Sequence, residues 1–266
     1  MTELVHTPAE LEAAIGHPRT LALVPTMGAL HEGHLSLVRA AQTTGSPVVV
    51  SIFVNPLQFA PGEDLDAYPR TLDADVALLE REGVDAVFAP SVATMYPTGP
   101  RTTIHPGPAG KILEGASRPT HFAGVLTVVA KLFALTRATD AFFGEKDYQQ
   151  LVLIRQMVED LNIPVAVHGC PIVREESGLA MSSRNRYLSA DEASTAEILS
   201  RALATGSFEK ARLLLDASPD VDLDYLALTT PNLQDIPAGY SGPARLLVAA
   251  RVGTTRLIDN ARVSVD

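Results

Sequence analysis

The sequence predicts an α/β protein, with a Rossmann-like parallel sheet over residues 1–172 and a smaller α+β domain over 173–266. Two observations carry that prediction. Through the first two thirds of the chain, short apolar runs alternate with helical patterns, the order expected of crossover units on a parallel sheet. After about residue 172 the alternation gives way to one capped helix and long strand-like stretches around Gly253.

Taken in order, Thr7-Pro8-Ala9-Glu10 opens a helix: Thr7 caps, Pro8 suits the first turn, Glu10 reaches back, and Gly16 ends it. Apolar runs at 21–26, 48–55, 85–90 and 140–144 read as buried strands. Helical patterns at 33–44, 71–82, 123–137 and 148–161 lie among them. The helix at 123–137 is apolar enough to serve either as a buried crossover or as a dimer surface. Ser189 and Glu192 form a capping-box signature for a further helix. Residues 222–230 and 244–263 alternate like antiparallel strands.

A formal net charge of −10 argues against a general nucleic-acid binder, whose affinity rests on clustered cations. It leaves room for a local cationic pocket. The lone cysteine, Cys170, excludes an internal disulfide framework and a cysteine metal cluster. The N-terminus lacks the basic and apolar regions of a signal peptide, and no apolar run approaches the roughly 20 residues that span a bilayer. These features predict a soluble, cytoplasmic protein without a membrane partner.

The stretch VPTMGALHEGHLSL at 24–37 places His31 and His34 three apart where a strand ends and a helix begins. Helix N-termini beyond the carboxyl ends of parallel strands favour anions, and Gly28 and Gly33 permit close backbone approach. Three readings compete for the pair: phosphate binding, metal ligation, or packing. Zinc would need a third protein ligand, and His105, His121 and His168 form no recognisable ligand motif. Other polar clusters follow further strands: Asn55 and Gln58, then Gly144, Lys146, Asp147 and Gln150, with Asp147 a candidate helix cap. The loop GLAMSSRNRYL at 178–188 offers hydroxyls and a guanidinium suited to a polyphosphate. Clusters at successive strand ends point to one shared site.

Together the blocks PTMGALHEGH, FVNPLQF, YPR, RPTHFAGVLTVVAKLF, FGEKDYQQ, GLAMSSRN and AARVGTTRLIDN resemble the pantoate–β-alanine ligase family of the nucleotidyltransferase superfamily. His-x-Gly-His alone marks only the superfamily; the combination with FGEKDYQQ and MSSRN is specific. The resemblance implies an ATP-dependent ligase that makes pantothenate, AMP and pyrophosphate from (R)-pantoate and β-alanine through a pantoyl adenylate.

By the same resemblance, His31 and His34 contact the ATP phosphates, with His34 the candidate proton donor. Met27, Gly28, Gly144, Glu145, Lys146, Asp147 and Val173 bind ATP, Val173 near the adenine. Met181, Ser182, Ser183 and Arg184 hold the outer phosphates, Gln58 and Gln150 hold pantoate, and Asn55 belongs to the same substrate pocket. Lys146, Ser182, Ser183 and Arg184 join the histidines as catalytic candidates. The resemblance also implies magnesium on the phosphates, with Asp75 a candidate ligand, a C-terminal lid and a homodimer. Arg118 and His121 either support the pocket or have a surface or dimer role.

Two departures stand out. Ser177 replaces the family's usual Asp before the glycine of GLAMSSRN, bearing on how that loop is anchored. The segment 204–216 is shorter than its usual counterpart, bearing on the packing of the C-terminal helices. A nucleotidyltransferase acting on a phosphorylated acceptor would want a second basic cluster in place of the two glutamines. A non-catalytic nucleotide-binding module would hold ATP without turnover.

Overall fold

Apolar runs too hydrophobic to face water on either side become the inner strands of a parallel sheet. A computed structural model describes residues 2–60, 63 and 65–266. Its parallel strands are β1 (Glu3–Val5), β2 (Ala22–Thr26), β3 (Val48–Ile52), β4 (Ala86–Phe88), β5 (Asp140–Gly144) and β6 (Ala166–Cys170), in the order β1-β4-β3-β2-β5-β6. The helices of this part are α1 (Pro8–Ile15), α2 (Glu32–Gln42), α3 (Leu72–Glu82), α4 (Val92–Met95), α5 (Glu114–Ser117), α6 (His121–Thr136) and α7 (Tyr148–Asp160). Ala22, Val24, Val48 and Val50 pack with Leu35, Val38 and Leu79 of α2 and α3. Leu23 and Val49 belong to the opposite core, with Leu11, Phe122, Val125, Leu126, Val129 and Leu132.

The chain forms two units, Met1–Glu145 with Gln149–Cys170, and Lys146–Tyr148 with Pro171–Asp266. The sheet belongs to the first. Its order reverses at β2, which pairs with β3 on one side and β5 on the other, and such a switch opens a crevice at the strands' carboxyl ends. The second unit holds α8 (Ala190–Ala204), α9 (Phe208–Asp216) and an antiparallel sheet of β7 (Val221–Thr229), β8 (Gly242–Val252) and β9 (Thr255–Val265). Val252 pairs with Thr255 across a turn in which Gly253 takes φ +55°. Leu199, Leu203, Leu246, Val248 and Ala250 form its core.

Both predicted capping boxes are present: Glu10 N–H donates to Thr7 Oγ1 at 3.2 Å, and Ser189 N–H donates to Glu192 Oε2 at 2.7 Å. The short segment 204–216 still yields a packed helix, because α9 buries Ala211 and Leu215 in the core. The apolar helix α6 buries Phe122, Val125, Leu126, Val128, Val129, Leu132 and Phe133, so its apolar surface is spent within this chain as a crossover. The strand expected over 48–55 stops at Ile52 because Asn55 caps a 3₁₀ turn at Pro56–Gln58. Strands β1 and β6 have no counterpart in the sequence reading. Among the described residues, no helix is long and apolar enough to cross a membrane.

At Gly124 helix α6 meets the Pro56–Gln58 turn main chain to main chain. A Cβ there would lie 2.2 Å from Leu57 O and 2.7 Å from Gln58 N, and backbone cannot rotate away. Gly124→Ala should therefore lower unfolding stability by about 1–3 kcal/mol, the usual cost of overpacking, when measured by urea denaturation. A loss below about 0.5 kcal/mol would contradict this close approach.

Candidate active site

A helix begins with backbone N–H groups that have no partner within the helix, and here two imidazoles supply the acceptors. His31 is extended at the N-cap of α2 (φ −141°), and its Nδ1 accepts Gly33 N–H at 3.1 Å. His34, three residues on, accepts His31 N–H on its own Nδ1 at 3.3 Å. The pair forms a capping box built from histidines instead of Ser and Glu, with ring centroids 4.1 Å apart. Because each Nδ1 acts as acceptor, each neutral ring carries its proton on Nε2. The helix start thus fixes both tautomers as Nε2–H donors.

The turn leading to that helix is held by Asp75, which is 2% exposed. Its carboxylate accepts Ala29 N–H at 2.9 Å, Leu30 N–H at 2.8 Å and Thr71 Oγ1–H at 3.1 Å. Gly28 (φ +84°) and Ala29 (φ +52°) are both left-handed, which a residue with a Cβ such as Ala29 adopts only under external constraint. A Cβ at Gly28 would sit 3.0 Å from Asp75 Oδ2. Asp75, the residue that the resemblance offers as a magnesium ligand, thus has both oxygens engaged in holding the turn. Among the described residues there is no cluster of three or more His, Cys, Asp or Glu side chains able to hold a metal.

At the end of β3, Asn55 is buried, and its amide is committed on every side. Its Oδ1 accepts Leu57 N–H at 3.3 Å and Tyr96 O–H at 3.0 Å, while its Nδ2 donates to Gln58 Oε1 and Gly124 O at 3.1 Å each. These bonds give Asn55, which the resemblance places in the substrate pocket, a positioning role toward Gln58. Gln58 Nε2 rests on Met27 Sδ at 3.0 Å, a weak acceptor that an incoming oxygen can displace. The Gln58 carbonyl accepts from Arg118 Nη2 at 3.2 Å and lies 2.9 Å from His121 Nδ1. Arg118 is itself held by Glu63 at 2.7 Å, and this guanidinium keeps the Glu63 carboxyl below its ordinary range. Arg118 and His121 thus support the Gln58 loop instead of lying on a bare surface.

At the end of β5, Gly144 and Glu145 close the strand and Gln150 follows in the first turn of α7. The neighbouring Gln149 is structural, holding Ala109 O, Ile112 O and Glu114 N–H. Burial, with Glu145 nearby, raises the Cys170 thiol above its ordinary value. The first unit thus gathers Met27, Gly28, His31, His34, Asn55 and Gln58 along the carboxyl ends of β2 and β3, and Gly144, Glu145 and Gln150 at that of β5.

In the second unit, Lys146 and Asp147 end a 3₁₀ turn, and Asn260 Nδ2 donates to the Lys146 carbonyl at 2.9 Å. A small hairpin covers 173–181: Met181 N–H donates to Val173 O at 3.0 Å, and Arg174 bridges to Ala180. Ser177, the departure from the family pattern, accepts Leu179 N–H on its hydroxyl at 3.3 Å, so the turn keeps a side-chain acceptor. Ser182 then caps the 3₁₀ turn Ser183–Tyr187 by accepting Arg184 N–H at 3.2 Å. Tyr96, Glu63, Asp259 and Asn260 escaped the sequence reading as supporting residues. Only the last two left a trace, as adjacent polar residues inside an apolar strand.

Removing the turn's carboxylate with Asp75→Ala leaves two backbone N–H groups without their acceptor. It should cost about 2–4 kcal/mol in denaturant unfolding, and a neutral variant would contradict the clamp. Burial pushes the Tyr96 phenol from 10.0 up to about 12. Folding therefore favours the protonated phenol; its contribution is full below pH 10 and is lost as pH rises from 10 to about 12. Tyr96→Phe should flatten that part of the stability decline in alkaline melts, whereas an unchanged profile would exclude Tyr96 as its source.

Comparison with known proteins bears on what this geometry serves. Residues 3–262 match the family model described as pantoate-beta-alanine ligase. The chain is 67% identical to the pantothenate synthetase of Corynebacterium jeikeium over 92% of this chain and 83% of that protein. It is 62% identical to that of Nocardia farcinica over 98% and 86%. Pantothenate synthetase from Thermus thermophilus superposes with a TM-score of 0.92 at 48% identity, covering 98% of this chain and 99% of that one. The Francisella tularensis pantoate-beta-alanine ligase, described as complexed with beta-gamma ATP and beta-alanine, gives 0.86 at 36% identity, covering 98% and 97%. By family model, sequence and fold alike, the chain belongs to the pantoate–β-alanine ligase family.

Proposed function

We propose that this enzyme condenses pantoate with β-alanine at the expense of ATP, through a pantoyl adenylate. The observation that carries the reading is the imidazole pair at the start of α2, fixed as Nε2–H donors, in a chain of this family whose Gln58 amide rests on Met27 of the turn before that helix. A pantoate carboxylate oxygen attacks the α-phosphorus of ATP, the bond to the bridging β-phosphate oxygen breaks, and pyrophosphate leaves. The β-alanine amine then attacks the acyl carbon, the carbon–oxygen bond to phosphate breaks, and AMP leaves as the nitrogen loses a proton.

Anion attacking anion is slow unless charge is neutralised and both partners are held in line. His31 and His34 donate from Nε2 to α-phosphate oxygens, and His34 supplies the donor that strengthens as pyrophosphate departs. Lys146 and Arg184 supply positive charge, with Ser182 and Ser183 hydroxyls and the Met181 segment on the outer phosphates. Met27, Gly28, Gly144, Glu145 and Asp147 line the nucleotide, and Val173 meets the adenine. Gln58 and Gln150 hold pantoate without adding charge. Magnesium brought in with ATP would neutralise phosphate charge, and Asp75 beside the turn is the candidate protein group to meet it. The working form is a cytoplasmic homodimer, for which light scattering should give twice the 28.3 kDa chain mass.

Pantoate alone should support exchange of labelled pyrophosphate into ATP; exchange that also requires β-alanine would overturn the two-step order, and a stable dinucleotide product would overturn the ligase reading. His34→Asn keeps a side-chain acceptor for the helix cap but removes the Nε2 donor. It should slow that exchange about 100-fold or more with the fold intact.

A further inference from the structure

We propose that the consecutive residues Asp259 and Asn260 are positioning residues for ATP binding, fastening the Lys146 segment and the phosphate loop at 181–184 to a single point on β9. The inference rests on the assignment of Lys146 and the loop to ATP made above. Both side chains are buried, at 4% and 2% exposure, in the middle of β9.

Asn260 works on the Lys146 side. Its Nδ2 donates to the Lys146 carbonyl, and its Oδ1 accepts from Arg245 Nε at 2.7 Å. The Arg245 guanidinium lies 4.0 Å from the centroid of the Tyr148 ring, whose hydroxyl donates to Pro231 O at 3.0 Å. The segment Lys146–Tyr148 is therefore gripped by its main chain at one end and by its ring at the other. Arg245 and Asn260 join the two grips directly. Both lie on one face of the sheet, since Asn260 pairs with Leu247, two residues from Arg245.

Asp259 works on the loop side. Its carboxylate takes Arg174 in a two-pronged grip, from Nη1 at 2.7 Å and Nη2 at 3.0 Å, and also accepts Asn260 N–H at 2.7 Å. Arg174 Nη1 donates further to Gly178 O at 3.0 Å, tying off the turn of the 173–181 hairpin. Asn185 Nδ2 donates to Ala180 O at 3.1 Å, fixing the point where the chain leaves the hairpin for Ser182. Asp259 pairs with Val248, whose face carries the unit's core, and Leu179 of the hairpin lies in that core.

Successive strand residues point to opposite faces, and their Cα atoms are about 3.8 Å apart. Two segments assigned to one nucleotide are thus pinned from opposite sides of a strand at neighbouring residues. Neither Asp259 nor Asn260 need touch ATP, because each sets where a touching group can be.

The test is ATP binding by calorimetry on the full chain, with pantoate binding as the control. Asn260→Ala should weaken ATP on the order of tenfold, the size of a typical coupling between contacting residues, and leave pantoate unchanged. In a Lys146→Ala background the same substitution should add nothing. Asn260→Asp, which keeps an acceptor for Arg245 but loses the donor to Lys146, should behave likewise and guards against misfolding of the alanine variant. Equal weakening of ATP and pantoate, or the same factor with and without Lys146, would overturn the proposal. Normal ATP binding by Lys146→Ala itself would instead overturn the assignment of Lys146 on which it rests.

Discussion

A buried carboxylate at the start of α3 decides where the β2–α2 turn can lie. Asp75 accepts the N–H groups of Ala29 and Leu30, and that pull keeps Ala29 in a backbone region it would otherwise avoid. The position of His31 follows from the turn, and the ring orientations follow from the helix cap. The orientation of two proton donors is thus traceable to one side chain more than forty residues away in sequence. None of this depends on a charged contact with a ligand, so the arrangement stands ready before one arrives.

Polar satisfaction is the common method of construction. Gln58 and Lys146, both expected to meet substrate, are each backed by a neighbour whose own hydrogen-bonding capacity is used internally. Asn55 stands behind Gln58, with Arg118 and His121 behind its carbonyl, and Asn260 stands behind Lys146. Backing residues of this kind exchange conformational entropy for geometry, because buried amides and carboxylates left unpaired would cost more than the bonds return. The donors at the helix start are the imidazoles of its own cap, so that part of the arrangement draws on no Lys or Arg side chain.

Most of the architecture was legible because the inner strands are buried on both faces and so are written as continuous apolar runs. β2, β3, β4 and β5 all announce themselves this way. β1 and β6 do not, and both are edge strands. β1 is three residues long with two exposed, and β6 carries His168 and Gly169 where an inner strand would carry Val or Ile. At the candidate site, chemistry-bearing residues stood out by type and spacing, whereas their supports did not. The internal partners of Asp75 and Asn55 were invisible, because sequence displays a polar group without showing what it holds. Arg118 and His121 were visible only as members of a motif, since their partners Gln58 and Glu63 lie far off along the chain.

The close approach at Gly124 carries a consequence for tolerance to mutation. Where two main chains meet without an intervening side chain, the Gln58 turn takes its datum from the axis of α6 and not from any rotamer. Substitutions that merely change how side chains fill the interior have little leverage on that datum. The molecule can drift through many versions of its apolar interior while one amide stays registered to within a bond length.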